Sequence, residues 1–216
     1  MSTLYTYYRS SAAYRVRIAL NLKGMPYTAV PVHLVKDGGQ HCSAAYRARN
    51  PQALVPAFEL EDGTVLTQSL AIMEYLDEVQ PEPALLPADA IGRARVRALA
   101  QAIACDLHPV NNLRVLQYVS QQLGISAEQK DAWYRHWVAT GLQGLEALLA
   151  DHPSTGRFCH GDTPTLADCC RVPQLYNARR FQCPLDAYPT IQRIAAACET
   201  LPAFQQAAPE VQPDAD

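Results

Sequence analysis

The sequence predicts an α/β unit of order βαβαββα followed by an all-α unit. Three observations carry this expectation. Short β-branched and aromatic runs alternate with helical stripes through the first eighty residues. Gln80-Pro81-Glu82-Pro83 and Pro87 then break the pattern. From Ala90 onward only helical periodicity remains. The implied boundaries are 1–81 for the α/β unit, 82–88 for a linker and 89–216 for the helical unit.

Taken in order, Leu4-Tyr5-Thr6-Tyr7-Tyr8 reads as a strand. Ser10-Ser11 then precede Ala12, Val16, Ala19 and Leu20, a helical stripe with a serine N-cap, closed by Lys23-Gly24. Tyr27–Val30 is a second strand, and Ala44–Arg49 a short helix stopped by Asn50-Pro51. Two strand-like runs, Val55–Leu60 and Thr64–Thr67, flank Glu61-Asp62-Gly63, the signature of a hairpin. Ser69 opens a helix carrying Ile72, Leu76 and Val79. Strand, helix, strand implies a right-handed parallel crossover, and the hairpin adds antiparallel strands.

In the second part, Val96, Leu99, Ile103 and Leu107 mark one helix, ended or kinked at Pro109. Asn111–Leu123 resumes it. Glu128–Leu149 is a long helix with Trp133, Trp137, Leu145 and Leu148 read as inward. Thr165 and Asp168 form a capping box for a helix to about Arg179, with Cys169-Cys170 as core filler on it. Thr190–Leu201 is the last helix, and Pro209–Asp216 reads as a polar, mobile tail.

The chain has 216 residues, 49% hydrophobic and 18% charged, with net charge −3. That is enough apolar material for real cores and too little net charge for disorder. A balance this mild argues against a nucleic-acid binder. No apolar run approaches the roughly 18 residues that cross a bilayer. The first residues lack the basic and apolar regions of a secretory signal. Seven cysteines with no CxxC pair indicate neither a disulfide framework nor a zinc site. His136, His152 and His160 show no metal spacing. A reducing, cytoplasmic compartment is expected.

The run Tyr8-Arg9-Ser10-Ser11-Ala12-Ala13-Tyr14-Arg15-Val16-Arg17-Ile18-Ala19-Leu20 resembles the zeta-class signature of the glutathione transferase family, roughly SSC-x-x-RVRIAL. Asn50-Pro51, Val55-Pro56, Gln68–Ile72, Gly161–Asp168, Val172-Pro173-Gln174, Arg180-Phe181 and Tyr188–Ile191 follow at the spacings of that class. The resemblance covers nearly the whole chain. It implies a thioredoxin-like first domain, glutathione as cofactor, a homodimer, and an isomerase acting on a small acidic substrate in aromatic-acid catabolism. The run Cys105–Arg114 is more similar to the class members that act on maleylpyruvate than to those that act on maleylacetoacetate. The third motif position is Ala12 rather than Cys, so no protein thiol acts there.

The implied reaction is cis–trans isomerisation about an activated C=C bond: a thiolate adds, the resulting single bond rotates, and elimination returns the thiol. Thiols ionise near pH 8.5, and a helix N-terminus or nearby donors lower that. Ser10 and Ser11, where strand hands over to helix, are the candidates for holding the thiolate, with Arg9 beside them; an N-cap role accounts for either serine equally well. The resemblance assigns Gln68 and Ser69 to the γ-glutamyl carboxylate, which suits helix amides and a hydroxyl. It assigns a cis Val55-Pro56 bond to pairing with the cysteinyl backbone, and His41 to the glycyl carboxylate.

For the substrate carboxylates the candidates are Arg9, Arg114 and Arg180, because guanidinium offers a fork to each carboxylate. His108 and Asn112, four residues apart across Pro109, join them, although His108 also suits a structural hydrogen bond. Thr165 and Asp168 are explained by capping alone. Two other readings use the same residues: conjugation or dehalogenation of small α-halo acids, and a non-enzymatic binding module. The arginines argue against the first, and the intact Ser10-Ser11 and Gln68-Ser69 against the second.

Overall fold

The computed structural model describes residues 1–215; Asp216 lies outside the described residues. The chain divides into two compact units, one of Met1–Leu85 joined by the segment that starts at Glu199, the other of Leu86–Cys198.

The first unit has the expected order. β1 (Thr3–Thr6), α1 (Ser11–Lys23), β2 (Thr28–Pro31), a four-residue α2 (Ala44–Arg47), β3 (Ala57–Glu59), β4 (Val65–Thr67) and α3 (Ser69–Val79) follow one another. The sheet order is β2-β1-β3-β4. β1 runs parallel to β2, with Leu4 opposite Ala29, and antiparallel to β3, with Leu4 opposite Phe58. The hairpin forms at Asp62-Gly63: Gly63 takes φ +86°, and the Asp62 carboxylate accepts the Thr64 N–H at 2.8 Å.

α1 was expected to bury one stripe. It buries nearly every side, including Tyr14, Arg15, Arg17, Ile18 and Lys23, because α3 packs on it and the C-terminal segment returns to pack α10 (Pro202–Gln205) on it as well. Gly24 ends it at φ +62°, its N–H meeting the Leu20 and Asn21 carbonyls. Lys23 Nζ binds Asp77 Oδ1 at 2.6 Å and the Gln80 and Pro83 carbonyls at 2.7 and 2.6 Å. Asp77 Oδ1 also accepts the Leu85 N–H at 2.7 Å. These bonds hold residues 80–85 to the first unit, past the expected boundary at 81. In α3, Ile72, Met73 and Leu76 are buried while Val79 is exposed.

The second unit contains α4 (Ala90–Gln101), a π-helical segment (Ala102–Leu107), a single turn α5 (His108–Val110), α6 (Leu113–Gln121), α7 (Ala127–Leu149), α8 (Leu166–Arg180) and the body of α9 (Pro189–Glu199). Val96, Leu99, Ile103 and Leu107 are buried as read. The inward stripe of α7 is Tyr134, Val138, Leu142, Leu145 and Leu149. Trp133 and Trp137 are half-buried and Leu148 is exposed. Two apolar stripes lie one residue, about 100°, apart on this helix, and tertiary packing selects the second. α8 opens with the expected box: Asp168 Oδ2 accepts the Thr165 N–H at 2.9 Å and its hydroxyl at 3.0 Å.

The tail is docked. Pro209 is buried and opens a 3-10 turn, and Gln212 Nε2 donates to the Gln206 and Ala208 carbonyls at 2.9 Å each.

Candidate functional site

In the first unit the expected site residues stand on four structural features: the β1–α1 turn, the loop before α2, the Val55-Pro56 segment that leads into β3, and the start of α3. The turn Tyr7–Ser10 delivers the chain into α1. Ser10 is the N-cap, its Oγ accepting the Ala13 N–H at 3.2 Å. A hydroxyl keeps its own proton while accepting, so capping leaves Ser10 able to donate to a further acceptor. Ser11 is buried at the first helical position. The first turn of α1 holds no acidic residue, so the positive helix end is not neutralised there. Arg9 is exposed, its guanidinium 4.7 Å from the Tyr8 ring centroid.

His41 lies in a tight loop of two 3-10 turns, Lys36–Gly38 and Gln40–Cys42. A side chain at Gly39 would meet the His41 ring at 2.5 Å and the Leu34 carbonyl at 3.1 Å, so glycine is needed between the turns. His41 is half-buried. Burial lowers its pKa, the His33 carbonyl opposes this, and the charge of Arg47 lowers it further.

Val55-Pro56 is cis. Gln68 has φ +67°, in the left-handed region that non-glycine residues occupy at a cost of order 1 kcal/mol or more. Its side chain makes no bond to the helix start and instead donates to Gln52 Oε1 at 2.9 Å. The initial amides of α3 thus lack a side-chain cap. Ser69 Oγ accepts from Arg15 Nη1 at 3.2 Å, and both residues are buried. A buried cation, a hydroxyl and helix amides converging at one place suit a carboxylate.

Arg15 and Gln52 were not singled out as site residues from the sequence. Arg15 and Arg17 flank Val16 on α1, and both are buried.

In the second unit, Asn112 caps α6, its Oδ1 accepting the Arg114 N–H at 3.1 Å. Its Nδ2 is 3.2 Å from His108 Nε2. The structure therefore brings His108 and Asn112 together across Pro109, with Arg114 on the exposed first turn of α6. Trp133 Nε1 donates to the Val110 carbonyl at 2.9 Å, which ties this turn to α7. Arg180 is exposed at the end of α8, its guanidinium 5.0 Å from the Phe181 ring centroid. Phe181 stacks on buried Tyr134 at 3.7 Å. Burial raises the Tyr134 pKa against the lowering charge of Arg180, so the phenol stays neutral. Among the described residues no cluster of His, Cys, Asp or Glu has the form of a metal site, and no helix is long and apolar enough to cross a membrane.

The family described as "Glutathione S-transferase, N-terminal domain" matches residues 4–84. The chain is 53% identical over 213 residues to a probable maleylacetoacetate isomerase of Vibrio cholerae, covering 98% of this chain and 97% of that protein. It superposes with TM-score 0.95 and 51% identity on the holo structure of a maleyl pyruvate isomerase, a bacterial zeta-class enzyme, covering 99% and 100% of the two chains. A maleylacetoacetate isomerase of Anaeromyxobacter dehalogenans, solved with dicarboxyethyl glutathione and citrate in its active site, aligns with TM-score 0.88 and 47% identity, covering 100% and 98%.

Proposed function

The chain belongs to the zeta class of the glutathione S-transferase family, and from that premise we propose how its residues isomerise a maleyl acid. The enzyme is a glutathione-dependent cis–trans isomerase, and its substrate is maleylpyruvate or maleylacetoacetate. The observation that carries the site assignment is the helix start at Ser10-Ser11: a half-buried and a buried hydroxyl, next to Arg9, with no acid in the first turn.

Bound glutathione supplies a thiolate that adds to the C=C bond, permits rotation and leaves again. The chain's residues do the rest. Ser69 with Arg15 behind it, and the amides at the start of α3, take the γ-glutamyl carboxylate. The backbone at cis Val55-Pro56 pairs with the cysteinyl segment, and His41 reaches the glycyl carboxylate. Ser10 and Ser11 donate to the sulfur, and the positive end of α1 favours its anionic form. Arg9 lies at this same turn and attracts a substrate carboxylate. Arg114 and Arg180 grip the remaining acidic groups, and His108 with Asn112 orient them through hydrogen bonds. A dicarboxyethyl thioether of glutathione, as held by the Anaeromyxobacter relative, has the bonding that a diacid attached at the sulfur requires. The homodimer and the cytoplasmic location belong to the same proposal, as does the absence of nucleic-acid and membrane partners.

Loss of the cis isomer's absorbance, followed for both maleyl substrates with and without glutathione, tests the function. Turnover of one or both only with glutathione is expected; equal rates without it refute the reading. Ser10→Ala and Ser11→Ala test the thiol assignment. At least one should move the acidic limb of the kcat/KM profile upward, each pH unit being worth about tenfold in thiolate below the thiol pKa. Profiles unchanged in both variants remove serine from thiol activation.

A further inference from the structure

The turn that carries Arg9, Ser10 and Ser11 is irregular, yet its backbone is held at almost every peptide. The Ser10 N–H donates to the Tyr7 carbonyl at 2.9 Å. Arg17 Nη1 donates to that same carbonyl at 3.3 Å and Nη2 to the Tyr8 carbonyl at 3.0 Å. The Tyr8 N–H donates to Asp214 Oδ2 at 3.0 Å, across 206 positions of sequence. A buried guanidinium therefore holds the carbonyls on either side of the Tyr8 N–H, and a carboxylate from the far end of the chain holds that N–H itself.

Both holders come with their own supports. Arg17 is 0% exposed and also donates to Thr6 Oγ1 and, through Nε, to the Ala207 carbonyl, each at 3.0 Å. Ala207 and Asp214 lie on one C-terminal segment, which Gln212 fastens to Gln206 and Ala208. Burial brings the Arg17 pKa down to about 10, opposed by the charges of Tyr27, Tyr14 and Asp214, so Arg17 is cationic throughout the physiological range. The segment from Ala207 to Asp214 is retained by hydrogen bonds of the charge-assisted kind, which run about twice the strength of neutral ones.

We propose that Asp214 is a positioning residue for thiol activation: by fixing the Tyr8 peptide it sets where Arg9, Ser10 and Ser11 present their donors. The C-terminal segment is thus part of the apparatus that keeps glutathione's sulfur ionised. The inference rests on the thiolate reading above. It acts through geometry, because the charge of a carboxylate near the turn would by itself oppose an anionic sulfur.

That opposition makes the test decisive. The ultraviolet absorbance of the thiolate of glutathione bound to the full-length protein is titrated with pH, alongside the kcat/KM profile. Asp214→Ala removes acceptor and charge together. It should raise the bound thiol's pKa by about one pH unit and lower kcat/KM about tenfold at neutral pH, the deficit closing as pH rises. Asp214→Asn keeps a carbonyl acceptor and should recover most of the loss. Asp214→Glu keeps the charge but displaces the acceptor. It should resemble Asp214→Ala in a chain of unaltered net charge, which preserves the test if Asp214→Ala folds poorly. Coincident thiol pKa values in the Ala, Asn and Glu variants overturn the proposal, as does a loss of equal size at every pH. The serine variants are the reference. If they move the thiol pKa and the Asp214 series does not, only this inference fails. If the wild-type thiol titrates at the value of free glutathione, the thiolate reading falls and this inference with it.

Discussion

The starts of α3 and α8 answer the same physical demand in opposite ways. Every helix begins with amides that no preceding turn can satisfy. At α8 the chain satisfies them itself: Thr165 and Asp168 cap reciprocally, Asp168 Oδ1 also accepts from the Cys159 N–H and from Arg171 Nη2 at 3.1 Å each, and Asp168 is fully buried. At α3 the N-cap is Gln68, held at positive φ with its side chain turned to Gln52, and a buried arginine arrives from α1. One start is closed by its own residues; the other is left open and positively charged. The contrast separates a folding cap from a ligand seat, although both read as a polar residue before an apolar stripe.

The largest effect should come from breaking the closed start. Asp168→Ala leaves Arg171 buried beside Cys159 and Cys198 without its carboxylate, and strips the helix of its cap. Removal of one partner from a buried ion pair costs about 3–5 kcal/mol. Denaturant unfolding should show a loss of that order, while the folded fraction keeps its KM for glutathione. A chain of unchanged stability would mean that Asp168 is not the cap's principal support.

α8 also offers the comparison within one helix, since its far end carries exposed Arg180. Arg180→Ala should leave unfolding within about 0.5 kcal/mol of wild type, as surface substitutions do. It should raise KM for the maleyl acid about tenfold, the worth of one charge-assisted contact near 1.4 kcal/mol. The KM for glutathione should stay nearly constant. Equal effects on both would contradict the assigned grip.

These differences set what was legible in the sequence. The element order was, because each strand and helix of the first unit carries its own period and its own punctuation, such as Lys23-Gly24 and Asp62-Gly63. The Thr165–Asp168 cap was legible because its partners are three residues apart. The stripe of α7 was not, since two apolar faces compete there and only packing chooses between them. Nor was the docked tail: Asp214 meets Tyr8 across nearly the whole chain, and no local pattern announces such a pair. The positions matched to the zeta-class motif were found by resemblance, whereas Arg15 behind Ser69 required the fold, because its role depends on α1 packing against α3.

The smallest effect is the one that sharpens the contrast most. Ser69→Ala deletes a hydroxyl at the open start, and alanine, the better helix former, offsets only a few tenths of a kcal/mol of the loss. If the hydroxyl only accepts from Arg15, its loss leaves a buried guanidinium with one partner fewer, and the unfolding free energy falls by about 1 kcal/mol with glutathione affinity untouched. If Ser69 and Arg15 together seat a carboxylate, a second cost appears when glutathione is bound: KM for glutathione rises about fivefold, roughly 1 kcal/mol, and the dependence on the maleyl acid is unchanged. A glutathione analogue lacking the γ-glutamyl carboxylate should bind wild type and Ser69→Ala alike. Discrimination between the two proteins by that analogue would place the hydroxyl's partner elsewhere on the ligand, and the open start of α3 would have to be assigned to another group.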